Sequence, residues 1–155
     1  MLSLMKLDFN RIEYAGLSSR QKENYNYHKL GAVLADFGYS AIRLSDDWNG
    51  ADLVAPHVDG NVILKIQLKG RLTFKKSYKD KELCIAFPSG DDWYVYPHDT
   101  VLELILSQTD LMSGTSSWDD RGGYSFPSLS RQLTELLERY RIRGDAKAGE
   151  IDSED

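Results

Sequence analysis

The sequence predicts an α/β protein of the α+β kind built as one domain, and three observations predict it. A helical-period apolar stripe runs up to Gly38, a series of short strand-like segments punctuated by turn residues follows as far as Pro97, and a leucine stripe of helical period returns over residues 128–142. The 155 residues are 41% hydrophobic and 28% charged, a composition that suits one domain hiding roughly 70% of its extended surface on folding. Residues 17–143 are expected to form that domain, residues 1–16 a partly ordered lead-in, and residues 144–155 an acidic, disordered tail.

The first helix is predicted from Ser18 or Ser19, either of which can serve as N-cap, to about Phe37. Leu30, Val33, Leu34 and Phe37 stand at the i, i+3, i+4, i+7 spacing of a buried stripe, and Gly38 stops the helix. "YSAIRL" (39–44) then reads as a strand, "SDDWNG" as a turn-rich link, "ADLVA" as a second strand and "NVILKIQLK" as a third. Asp59-Gly60 within "PHVDG" signals a hairpin between the last two. "LCIAF" and "WYVYP" form a further antiparallel pair around "PSGDD", ended by Pro97. Thr100 and Glu103 fit a capping box at the head of a short apolar helix reaching about Leu106. Residues 107–126 are glycine-rich and without period, which predicts a functional or mobile loop. Leu129, Leu133, Leu136, Leu137 and Tyr140 mark the final amphipathic helix, from about Ser128 to Ile142, which offers support for a homodimer.

Composition narrows the function classes. The single cysteine, Cys84, cannot form an internal disulfide and sits in an apolar strand, so an inert thiol in a cytoplasmic protein is expected. The opening "MLSLMKLDFN" is interrupted too early for a signal-peptide core, and no apolar run approaches the roughly 20 residues of a membrane span. No phosphate-cradling glycine loop, cysteine–histidine metal spacing or paired nucleophile is found; His28, His57 and His98 lie outside any such pattern.

The net charge of −5 conceals an uneven distribution. Residues 65–82 place Lys65, Lys69, Arg71, Lys75, Lys76, Lys79 and Lys81 against Asp80 and Glu82 alone, whereas residues 144–155 hold five acids and one lysine. Local charge steers a polyanion, so the segment Arg71 to Lys81, with Tyr78 for packing or a phosphate hydrogen bond, is the candidate nucleic-acid surface. The competing reading is an exposed, solubilising hairpin.

The alternation of the third strand gives that surface a neighbouring site. Val62, Leu64, Ile66 and Leu68 share one face, the core; Ile63, Lys65, Gln67 and Lys69 share the other. Asp52, on the preceding strand, stands beside Gln67 and Lys69 where the register allows. On the first helix, Glu23 precedes Leu30 by seven residues, which turns it to within about 20° of that leucine's direction. A carboxylate on an apolar stripe needs a partner, a metal or a helix N-terminus.

Glu on the first helix, Asp on the second strand and Gln-x-Lys on the third, in that order, resemble the PD-(D/E)XK nuclease superfamily, the restriction-endonuclease-like fold. The resemblance covers roughly residues 18–97 and rests on Glu23, Asp52 in "GADLVA", and Gln67 and Lys69 in "IQLKG". It implies a mixed central sheet flanked by helices, binding of Mg²⁺ or Mn²⁺ through Asp52, Gln67 and Glu23, and hydrolysis of DNA phosphodiester bonds with Lys69 near the attacking water. Gln67 replaces the family's usual acid and removes one negative charge from the ligand set. The connection over residues 70–82 also lacks the pattern of the family's crossover helix. The alternative to an endonuclease is a catalytically inactive module of the same fold that grips nucleic acid or a protein partner.

Overall fold

Ser18 opens the first helix as a full capping box: its hydroxyl accepts from the Gln21 backbone N–H, and the Gln21 side chain accepts from the Ser18 N–H in return. The helix, α1, spans Ser19–Asp36 and ends where Gly38 adopts φ +84°, a left-handed value that glycine tolerates without strain. The computed structural model describes residues 4–144; the acidic tail expected beyond Gly144 lies outside the described residues. Ahead of α1, residues 4–13 form neither helix nor strand, and Tyr14–Gly16 make a single 3-10 turn.

Eight strands follow in chain order: β1 (Ile42–Trp48), β2 (Ala51–Pro56), β3 (Ile63–Leu68), β4 (Thr73–Lys75), β5 (Cys84–Ser89), β6 (Asp92–Pro97), β7 (Gly123–Ser125) and β8 (Arg141–Ile142). Six of them make one mixed sheet in the order β1-β2-β3-β5-β6-β8, in which only β3 and β5 pair in parallel; β4 and β7 form a separate ribbon. The α+β class expected from the sequence, with a mixed central sheet, is therefore the architecture. Parallel pairing forces the chain between β3 and β5 to cross over, and it does so through β4 and a 3-10 turn at Lys76–Tyr78 rather than through a helix.

The middle of the sheet is covered on both faces, whereas the edge strand β1 is largely exposed. Leu30 and Leu34 of α1 pack on Leu53, Ala55, Ile66, Ala86 and Trp93. Ile85, Phe87, Tyr94 and Tyr96 face the other way, against α2 (His98–Gln108), α4 (Arg131–Leu137) and the β4–β7 ribbon. Ile66 is fully buried as the alternation predicts, but Leu64 and Leu68 are only half-buried and Val62, ahead of the strand, is exposed. Phe37 also leaves the predicted stripe: it caps the helix and is exposed. Cys84, half-buried at the head of β5, has its thiol pushed up to about 11 by burial, in keeping with an inert thiol.

Four expectations are corrected. The "SDDWNG" link is strand through Trp48, closed on β2 by the two-residue turn Asn49-Gly50, where both φ values are positive as a twisted hairpin requires. Thr100 does not cap α2, which starts two residues earlier at His98 behind Pro97. The 107–126 segment is packed: Met112, Trp118 and Phe126 are buried, α3 (Ser116–Asp119) forms within it, and β7 pairs with β4. The last helix is only Arg131–Leu137, and after a 3-10 turn the chain becomes β8, held on β6 by Arg141 Nε donating to Asp92 at 2.7 Å. Leu133 and Leu137 are buried in this core, with Leu129, Leu136 and Tyr140 partly buried against it. Among the described residues, no helix is long and apolar enough to cross a membrane.

Candidate active site

The β2–β3 register, with Leu53 opposite Ile66, sets Asp52 opposite Gln67 one step further on. Asp52 Oδ2 accepts from Gln67 Nε2 at 2.8 Å and from the Leu68 backbone N–H at 2.9 Å. Glu23, Asp52, Gln67 and Lys69 line one cavity of about 330 Å³. The four sequence-selected residues thus line one cavity, which Leu53 and Leu68 also border.

Glu23 does not enter the buried stripe. Its side chain stays 67% exposed at the cavity mouth, 4.0 Å from the Arg43 guanidinium. Arg43 in turn donates to Asn24 and lies 5.5 Å from the centre of the Tyr27 ring, so the first strand and the first helix are tied together at the site. Three charged wall residues went unrecognised in the sequence: Arg43, Asp46 and Asp47, all on β1. A register shift between Arg43 and Trp48 lifts this stretch from regular pairing and leaves its side chains to the cavity. The signal was the acidic pair itself, hidden by reading "SDDWNG" as a link.

Electrostatically the cavity is short of positive charge. Burial raises the Asp52 pKa, and the charges of Glu23 and Asp47 push it the same way; the Leu68 N–H and Lys69 oppose. A carboxylate in that state is relieved by a cation. Gln67 turns its amide nitrogen to Asp52, which leaves its oxygen and Asp52 Oδ1 as hard donors. Such a sparse oxygen set suits an ion that keeps several waters, as Mg²⁺ does. Among the described residues, no three His, Cys, Asp or Glu side chains already stand at metal-binding spacing.

The basic segment divides. Tyr78 is buried and packs, with the Lys69 and Lys75 ammonium groups 5.6 and 5.5 Å from its ring centre. Lys76 lies 5.1 Å from the Trp118 ring centre and reaches the Asp119 carbonyl; Lys65, on β3, pairs with Glu82 at 3.6 Å. Arg71, Lys76 and Lys79 are exposed, whereas Lys75 and Lys81 are half-buried.

His98, fully buried, fixes this segment from below. Its Nε2 accepts from the Lys75 backbone N–H at 3.1 Å, its Nδ1 donates to Asp99 at 2.8 Å, and Asp99 accepts from the Asp80 N–H at 2.8 Å. Burial holds its pKa below the usual histidine range, with Asp99 opposing. The neutral ring therefore stabilises the fold above pH ~6.5, and that contribution is lost as pH falls toward the folded pKa. His98→Ala is expected to cost about 1–3 kcal/mol by orphaning a partly buried N–H, and to remove this acid-side slope from the denaturation profile. An unchanged slope in the variant would assign it to other groups.

Comparison with protein-family models, curated proteins and solved structures returned no match to the chain. The reading of the site therefore stands on its own residues.

Proposed function

We propose that the chain is a metal-dependent endonuclease that hydrolyses DNA phosphodiester bonds, with the convergence of Glu23, Asp52, Gln67 and Lys69 on one cavity as the observation that carries the reading. Asp52 and Gln67 would hold Mg²⁺ or Mn²⁺, with Glu23 joining through water. When bound, the cation supplies a lowered water pKa and screening of phosphate charge. Lys69 contributes a fixed positive charge beside Asp52, where it orients the attacking water and offsets charge growing on the phosphate. The lysine and arginine side chains from Arg71 to Lys81 bind backbone phosphates on either side of the cut. Cutting both strands of a duplex calls for two such sites, hence a pair of chains. The lone thiol fits a reducing, cytoplasmic setting.

A second reading, a module that binds nucleic acid without cutting, is favoured by one observation: Gln67 and the Leu68 N–H already engage the Asp52 carboxylate. A cleavage assay on duplex, single-stranded and branched DNA with Mg²⁺ and Mn²⁺ tests the first reading. Metal-dependent products support it, and intact DNA under every condition leaves only the second.

Binding has its own test. Replacing Lys75, Lys76 and Lys79 together by Gln is expected to weaken DNA affinity and to flatten its salt dependence by up to about three counterion units. Equal slopes for the variant and the wild type in a fluorescence anisotropy titration would return these lysines to a solubilising role.

A further inference from the structure

Away from the cavity, α1 carries a second set of polar and aromatic side chains that the proposed chemistry does not use. Lys22, Tyr25, Asn26 and Lys29 follow one another at helical spacing. By helix geometry this stripe lies about 110° around the axis from Glu23. Tyr14, from the 3-10 turn ahead of the helix, leans over it: the Tyr14 and Tyr25 ring centres are 5.2 Å apart at 60°, and Asn26 Nδ2 donates to the Tyr14 hydroxyl at 3.0 Å. Lys22 lies 5.4 Å from the Tyr14 ring centre and Lys29 5.4 Å from that of Tyr25. Neither lysine pairs with a carboxylate among the described residues.

Burial does not account for the two rings. They remain 41% and 37% exposed, whereas Tyr94 and Tyr96 are enclosed in the core. Beside them, Tyr25, Asn26 and Lys29 line a groove of about 330 Å³ together with Val33, Trp93, Pro88 of β5 and Gly90 and Asp91 of the β5–β6 turn. Tyr25 gives the groove an aromatic wall and Lys29 a positive charge, while Tyr14 and Lys22 adjoin it through the Tyr14–Tyr25 contact.

We infer that this groove binds an unpaired nucleotide of a single-stranded nucleic acid, an assignment that rests on the nucleic-acid reading above and narrows its substrate to DNA with a single-stranded stretch beside the cut. Tyr25, braced by Tyr14 beside it, provides the stacking surface, which any base can use because every base has a π face. Lys22 and Lys29 meet the flanking phosphates. Asn26, held by Tyr14 through its amide nitrogen, keeps its carbonyl oxygen for a base N–H, and Asp91, which also lines the groove, is a second acceptor. A duplex cannot use the groove without unstacking a base, so the site discriminates by strandedness rather than by sequence.

The test is equilibrium binding of a labelled oligothymidylate and of a blunt duplex of equal length to the full chain without divalent cation, followed by fluorescence anisotropy. Joint replacement Tyr14→Ala and Tyr25→Ala should weaken single-strand binding about tenfold, the loss of one stacked base, while duplex affinity changes less than twofold. Tyr25→Phe should retain the single-strand affinity, since the ring remains and the Tyr14 hydroxyl still holds Asn26. Equal losses on both ligands, or no loss on either, overturns the groove assignment. Cleavage is scored separately: a wild type that cuts DNA without this single-strand preference keeps the nuclease reading and sinks the groove. Selective single-strand binding through the tyrosines without any cutting does the reverse.

Discussion

Asp52→Ala is expected to abolish divalent-cation binding and to reduce DNA cleavage to background, whereas Lys69→Ala loses cleavage by roughly 100- to 1000-fold while keeping most of the cation affinity. The two effects separate because the side chains do different things. Asp52 contributes the charged oxygen around which the cavity is organised, and Lys69 contributes a charge of opposite sign that no cation needs as a ligand. Titration calorimetry with Mg²⁺ and Mn²⁺ beside a cleavage assay reads both quantities.

Gln67→Glu sharpens the test. It exchanges an amide that donates to Asp52 for a carboxylate of the same length, so the free protein gains repulsion with Asp52, Glu23 and Asp47. Cation affinity should therefore rise and the metal-free protein should lose stability. A wild type that binds no cation, together with a Gln67→Glu chain that also binds none, removes the catalytic reading and leaves the binding module. The same crowding predicts a gain for Asp52→Asn. Because the folded pKa of Asp52 is raised, its contribution to stability is present below its ordinary value near 3.8 and is lost as pH rises through the folded pKa. The asparagine variant should thus melt at a higher temperature than the wild type at neutral pH, and the gap should close in acid.

Trp118→Ala is expected to cost about 3–5 kcal/mol of stability, the range for deleting a large aromatic from a core. Trp118 is buried among the residues of the larger core cluster, on the short helix α3, and is covered on its outer side by Lys76. Denaturant unfolding gives the loss directly. The substitution should also loosen the β4–β7 ribbon, and with it the basic segment, so DNA affinity should fall further than removal of the Lys76 charge alone explains. A loss under 1 kcal/mol would mean that residues 107–126 are the mobile loop their composition suggests.

Local rules carried much of this molecule. The helix at Ser19–Asp36 is announced by a serine cap at Ser18 or Ser19 and a stop at Gly38, because both act through bonds within a turn or two of the chain; the structure selects Ser18. The alternation from Ile63 to Leu68 similarly separates Ile66, which goes to the core, from Gln67, which goes to the cavity. Of the four cavity residues, Gln67 follows from the period of its own strand, whereas Asp52 depended on the β2–β3 register and Glu23 reaches the cavity mouth without lying on the buried stripe that its helix angle predicts.

The tertiary structure decided what depends on partners distant in sequence. "SDDW" continues as strand because β2 supplies a pairing edge across the Asn49-Gly50 turn, and only the register shift in that pairing sends Asp46 and Asp47 to the cavity. Residues 107–126 show no period, yet they pack, since Met112, Trp118 and Phe126 each bury one side chain against strands and helices far along the chain. Arg141 and Ile142 leave the helical pattern because the open edge of β6 and the Asp92 carboxylate compete for them and win. Periodicity records the face that one element turns to a flat neighbour. Where single side chains are captured by distant partners there is no repeat to read, so the acidic wall of the site and the anchoring of the basic segment by His98 emerged only when the chain was folded.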